Sequence, residues 1–393
     1  MADTKGITLS CLCGAATHTF TIPTSSLPLP SHLCNCTTSR RISGSLLTSY
    51  INITHDTPTT TSKKPDLTFL TPYPSSDVLT RWFCSTCGTH MYLEYAADGH
   101  FEAATGTLKE SEGVVKYESC MWIEDTRDGG ASQFVTHIDG TELKRYSRES
   151  GVSKEVALEW MDDPETTENA VQKYGSSDGG KEEGKKIHAT CHCGGVEFYI
   201  SPPNAESKLA ASPFSDLIIP YHRQLDITAN IDNHPWWVVG DKRFLAGTCA
   251  CHSCRRASGF DITFWGFIPT SNITLDATGE LPFTRDERRY WGTMKSYRSS
   301  PNVTRTFCGK CGANVFWDGD ERPSIVDVAV GLLDAESGAR AQELLAWYPE
   351  RVSFEEDALN KSLIKGLGDG LIEWGRTNKG KEYVATGISS MQM

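Results

Sequence analysis

The sequence predicts a mainly β protein, two small antiparallel β domains in tandem with a helical C-terminal extension. Three observations carry that reading. Short runs rich in β-branched and aromatic residues, such as "DITFWGFIP", "MKSYRS" and "ANVFWD", are broken by Gly, Pro, Asn and Asp, the pattern of strands and turns. The cysteines fall in clusters, and the same order of clusters is written twice. In the C-terminal extension apolar residues fall at helical spacing, in "ARAQELLAW" and around "EEDALNKSLIKGL".

Along the chain, the first copy opens with Cys11-Leu-Cys13-Gly14 and the strand candidate "THTFTIP". It continues with "CNCTTSRRISG" from Cys34 to Gly44, the strand candidate "LLTSYINI", Phe83-Cys84-Ser-Thr-Cys87-Gly88 and the strand candidate "HMYLEY". The second copy answers with Cys191-His-Cys193-Gly194 and "VEFYIS", then "CACHSCRRASG" from Cys249 to Gly259. "DITFWGFIP", "SNITLD", "MKSYRS", Phe307-Cys308-Gly-Lys-Cys311-Gly312 and "ANVFWD" follow. Further on, "AATGTLKESEG" corresponds to "VAVGLLDAESG". Self-similarity over so long a period marks a duplicated domain rather than a solenoid. The expected boundaries are 1–150 for the first copy, 151–187 for a helix and flexible linker, and 188–393 for the second copy. The linker is placed at Met161 to Lys186, which is polar and rich in Gly, Ser and charge. The second copy also carries an insertion over 201–243, containing "DLIIPY" and "HPWWVV".

With 393 residues the chain has room for two domains, and 38% hydrophobic against 22% charged residues favours folding over disorder. A net charge of −12 argues against a general nucleic-acid or anionic-membrane binder, because phosphate surfaces select for Lys and Arg. No segment approaches the roughly 20 apolar residues that cross a bilayer. The start, "MADTKGITLS", has no apolar core of the secretory type. A cytoplasmic location is expected, with the nucleus also open. There, 14 cysteines point to metal rather than to disulfides. All but Cys120 lie in pairs or a triplet, and Cys120 reads as a small buried apolar residue.

In an extended segment residues two apart face one side, so Cys191 and Cys193 can grip one ion. The glycine after Cys308-x-x-Cys311 permits a tight turn that brings those sulfurs together. Two plus two thiolates make a closed tetrahedral zinc site of the structural kind. The first copy offers the same set in Cys11, Cys13, Cys84 and Cys87. The bland alternative is eight buried free thiols. Cys249, Cys251 and Cys254 form a trio without a fourth cysteine. Either zinc there keeps an open position, as in catalytic sites, or His252 or His192 closes it. Arg255 and Arg256 follow at once; they are either solvated surface charge or a fork for an anionic ligand. Trp236, Trp237 and Trp265 read as core. In the first copy Ser39 replaces the third thiol, and a hydroxyl is a poor zinc ligand. His32 is the remaining candidate to join Cys34 and Cys36.

The ordered set C-x-C-G, C-x-C-x-x-C-R, F-C-x-x-C-G, followed by "GLL" or "GTL", resembles the glutathione-dependent formaldehyde-activating enzyme family, also called the centromere protein V family. The resemblance implies a β-tent fold, small antiparallel sheets around a structural zinc. It implies that Cys191, Cys193, Cys308 and Cys311 hold the structural ion and that Cys249, Cys251 and Cys254 hold a catalytic one. The first copy matches except at Ser39, so it is expected to keep one structural zinc and to lack the chemistry. The implied function is that of a zinc-dependent carbon–sulfur lyase acting on adducts of glutathione, or a related thiol, with a small aldehyde. Formation of S-(hydroxymethyl)glutathione from glutathione and formaldehyde is the leading case, with Arg255 or Arg256 anchoring a glutathione carboxylate. The alternatives are a non-catalytic, zinc-stabilised protein-binding module and, ranked last, a redox sensor.

Overall fold

The computed structural model describes residues 3–54, 64–159, 184–223, 229–284 and 291–377. The expected linker at 161–186 lies almost wholly outside the described residues, and 151–159 contains no helix.

The fold is mainly β, with mostly antiparallel sheets, as the sequence predicts. In the first copy the strands Tyr50–Asn52, Phe101–Ala104, His90–Tyr95, Leu79–Cys84 and Leu70–Ser76 form one sheet in that spatial order. The second copy repeats the order with Thr263–Pro269, Ile325–Ala329, Asn314–Gly319, Val303–Cys308 and Met294–Ser300. Its sheet is extended by Arg243–Cys249, Val238–Val239 and Leu345–Trp347. Parallel pairs also occur: Leu29–Cys34 lies along Val115–Met121, and Arg243–Cys249 along Leu345–Trp347.

Three helices are named here: α1 (Thr37–Ser43), α2 (His252–Ser258) and α3 (Lys361–Thr377). The helical reading holds for α3 and fails for "ARAQELLAW". That stretch runs through turns into the strand Leu345–Trp347, where pairing with Arg243–Cys249 overrides its helical spacing. In α3 the glycines of "GLGDG" let the helix approach the first copy closely. A Cβ on Gly366 would stand 2.2 Å from His137 O, and one on Gly370 2.0 Å from Phe134 O.

One hydrophobic core runs through both copies, joining Leu9, Leu33, Leu46, Phe101 and Phe134 to Phe198, Phe244, Phe264, Val326 and Leu371. The seam is close to two-fold. Gly106 N donates to Gly259 O at 2.9 Å, and the equivalent Gly331 N to Gly44 O at 2.9 Å. Gly44 and Gly259 end α1 and α2 with φ of 76° and 88°. A side chain on either would strike the other copy's backbone, at 2.4 Å from Asn314 O and 2.2 Å from His90 O respectively. The insertion builds a satellite core of Phe214, Leu217, Ile218, Trp236 and Trp237 against Leu245 and Phe267. Trp236 and Trp237 are core, as expected, with their indole N–H groups bonded to Pro213 O and Ser207 O.

Candidate metal centres and the adjoining cavity

Three groups of cysteines converge among the described residues, each with all sulfurs within 4.8 Å of one another. They are Cys11, Cys13, Cys84 and Cys87; Cys191, Cys193, Cys308 and Cys311; and Cys249, Cys251 and Cys254. In the first group Sγ of Cys13 lies 3.4 Å from that of Cys11 and 3.6 Å from that of Cys84. In the second, Cys193 lies 3.5 Å from both Cys191 and Cys308. Zn–S bonds of about 2.3 Å in a tetrahedron put sulfurs about 3.8 Å apart, so both groups fit zinc with little adjustment. Backbone and hydroxyl donors also point at these sulfurs, including Ala16 N on Cys11, Val196 N on Cys191 and Thr293 Oγ1 on Cys308. Such bonds stabilise thiolates. The local reason for the C-x-C pairing differs from the expected one. The strands end at Ser10 and Thr190, and each pair sits in the turn that follows, with Gly14 and Gly194 at positive φ.

The trio is set by a strand end and a helix start. Cys249 closes the strand Arg243–Cys249, Cys251 caps α2 by accepting Cys254 N at 3.3 Å, and Cys254 lies in the first turn. No histidine or carboxylate joins it among the described residues. His252 is exposed, and His192 Nδ1 is bonded to Tyr73 Oη of the first copy at 2.7 Å. Hydrogen bonds with Cys249, Cys251 and then Arg305 hold the Cys254 thiol well below its ordinary range. Those with Cys251 and Cys254, together with burial, push the Cys249 thiol up.

The equivalent place in the first copy holds Cys34, Cys36 and Ser39, with Cys36 capping α1 as Cys251 caps α2. Ser39 Oγ lies 3.6 Å from Cys34 Sγ. His32 does not join them; its Nδ1 is bonded to Ser119 Oγ at 2.9 Å.

Beside the trio is a cavity of about 300 Å³. Cys249, Cys251 and Cys254 form one wall, and Trp265, Arg305, Arg322 and Asp327 stand around it. Trp265 is part of the main core, as expected, and also lines this cavity. The insertion supplies another wall with Pro213, Ser215, Asp216, Leu217 and Tyr221. Asp216 pins it by accepting Ser353 Oγ at 2.9 Å, Phe354 N at 2.8 Å and Tyr221 N at 2.8 Å, and by pairing with Arg351 at 3.1 Å. Arg322 Nη2 pairs with Asp327 at 2.7 Å and stacks 4.2 Å from the Trp317 ring. Burial pushes the Asp327 carboxyl up to about 6, against the pull of Arg322.

Arg255 and Arg256, expected as ligand anchors, do not line this cavity. Arg255 is buried and donates through Nη1 to Gly106 O and, at 2.9 Å, to Leu108 O. Arg256 donates to Cys11 O and Ser10 Oγ. α2 turns this side toward the first copy, so both guanidinium groups meet its backbone. Sequence reasoning missed Arg305. The available signal was the repeated "TRWFC" and "TRTFC", which put Arg81 and Arg305 at the same place in each copy.

The scaffold is a duplicated β fold with two four-cysteine groups and a three-cysteine group beside a cavity, each of which could hold a metal ion. The family model described as glutathione-dependent formaldehyde-activating enzyme matches residues 6–125 and 238–349, well over half of the chain. The chain belongs to that family, whose description points to glutathione- and formaldehyde-related chemistry. No curated protein and no solved structure matches it. No helix among the described residues is long and apolar enough to cross a membrane.

Proposed function

We propose that the second copy is a zinc-dependent carbon–sulfur lyase-type site for adducts of glutathione, or a related thiol, with a small aldehyde such as formaldehyde. The observation that carries this reading is the buried trio, Cys249, Cys251 and Cys254, opening on a cavity with no fourth protein ligand among the described residues. Zinc held there would lower the pKa of a thiol in its fourth position and polarise a carbonyl oxygen. The three thiolates fix the reacting region at one end of the cavity. Asp216 holds the insertion as a wall that limits water, and Trp265 and Phe267 supply apolar surface for the rest of the ligand. Positioning suffices for much of the effect, because addition of a thiol to formaldehyde has a low intrinsic barrier. The first copy, with Ser39 in place of the third thiol, serves as a packing partner that keeps one structural ion.

The test is Cys254→Ser. Wild-type protein should carry about three zinc ions, one per cysteine group. The variant should lose one ion and all thiol-dependent turnover while remaining folded. Retained turnover with two ions would remove the trio from the chemistry.

A further inference from the structure

Among the described residues Arg305 is the guanidinium in direct contact with the trio. It is 4% exposed, and its Nη2 donates to Cys254 Sγ at 3.4 Å and to Ser253 Oγ at 3.1 Å. It reaches the trio from the inner part of the strand Val303–Cys308, whose last residue is itself one of the four-cysteine ligand candidates. The strand that carries Arg305 thus runs from the trio to a four-cysteine group.

The first copy shows what the same arginine does where the third thiol is missing. Arg81 occupies the equivalent place and is also 4% exposed. It donates to Ser39 Oγ at 3.3 Å and to Tyr50 Oη at 3.0 Å, both neutral oxygens. Tyr50 stands six residues after Gly44, where the second copy has Trp265 six after Gly259. The phenol thus closes onto the arginine in one copy, whereas in the other the arginine faces sulfur and the cavity stays open.

Three thiolates around a divalent ion carry a net charge of about −1. A fourth ligand that is itself an anion raises this to about −2 in a place shielded from water, which is unfavourable unless a cation stands nearby. We propose that Arg305 makes the fourth position of the trio selective for an anionic sulfur ligand, a thiolate, over neutral donors. The inference rests on the thiol-site reading above. A metal held by Cys249, Cys251 and Cys254 would take such a ligand as the thiolate, with the thiol proton released to solvent. Arg305 is a positioning residue, since it acts through Cys254 and through its charge. At about 6 Å and an effective dielectric of about 20, one unit charge alters an anion's affinity on the order of 100-fold.

The experiment uses the full chain loaded with Co²⁺, with the trio's absorption bands identified by their loss in Cys254→Ser. 2-Mercaptoethanol and imidazole are titrated separately into wild type, Arg305→Met and Arg305→Lys. Arg305→Met should weaken 2-mercaptoethanol on the order of 100-fold and leave imidazole within about 3-fold. Arg305→Lys should restore most of the thiol affinity. Equal loss for both ligands marks a merely structural role and overturns the proposal, as does undiminished thiol affinity in Arg305→Met. If Arg305→Met fails to hold cobalt, the lysine variant decides alone: thiol affinity within about 10-fold of wild type supports the charge role, and a collapse to the imidazole level overturns it. If wild-type bands respond to imidazole and not to the thiol, the thiol-site reading itself falls.

Discussion

Arg255→Met separates a clamp between the copies from a ligand anchor. Arg255 Nη1 donates to two carbonyls of the first copy, Gly106 O and Leu108 O, from a buried position. Hydrogen bonds from a charged donor contribute about 1.5–3 kcal/mol each, so the pair stands for about 3–6 kcal/mol. Part of this is offset, because the variant no longer has to desolvate a guanidinium, the burial that also lowers the Arg255 pKa. Methionine fills much of the aliphatic volume, so the cavity penalty stays small. The expected net loss is about 3 kcal/mol. The assay is equilibrium unfolding in urea at fixed zinc occupancy, because bound metal shifts the midpoint by mass action. Thiol affinity at the cobalt-loaded trio should stay within about 2-fold of wild type. A variant of wild-type stability with thiol affinity weakened 10-fold or more would refute the clamp and reinstate the anchor.

Ser39→Cys places a third thiol beside Cys34 and Cys36 in the geometry of the second copy, so metal analysis should find one additional ion; an unchanged count refutes the equivalence of the two sites. Gly259→Ala puts a Cβ 2.2 Å from His90 O and should cost more than about 3 kcal/mol, whereas Gly14→Ala, with nothing within 4 Å, should cost only the roughly 1–2 kcal/mol of its positive φ. Comparable melting temperatures for the two would contradict the packing of the seam. Burial lowers the His90 pKa to about 4, so native His90 stays neutral while the unfolded chain takes up a proton below about 6.5. That stability is complete above pH 6.5 and is lost as the pH falls toward 4, by about 3 kcal/mol at the end. His90→Asn, which copies Asn314 of the other half, should show a shallower fall between pH 6.5 and 5; parallel curves would refute this titration.

Much of this was legible in the sequence because a repeat is its own alignment. The cysteine spacings marked all three converging groups, and the aromatic and β-branched residues of "HMYLEY" and "ANVFWD" marked strands, because ligand spacing and strand composition are local properties. What eluded it depends on which way an element faces. Arg255 and Arg256 sit next to Cys254 in sequence, yet the helix directs them to the opposite copy, while Arg305 comes from a strand fifty residues later. "ARAQELLAW" has helical spacing, and a neighbouring edge that only the folded chain provides makes it a strand. The insertion's role as a wall rests on Asp216, whose partners Ser353 and Phe354 lie beyond the family motifs.

The join between the halves has one further consequence. Arg41 holds Thr190 O and Leu332 O, Arg256 holds Cys11 O, and Arg255 holds Gly106 O and Leu108 O. Every one of those acceptors is a peptide group, which no codon change can delete. Side chains at those acceptor positions can therefore change without removing these bonds, whereas the Arg41–Asp334 pair and the Arg256–Ser10 bond depend on the residue itself.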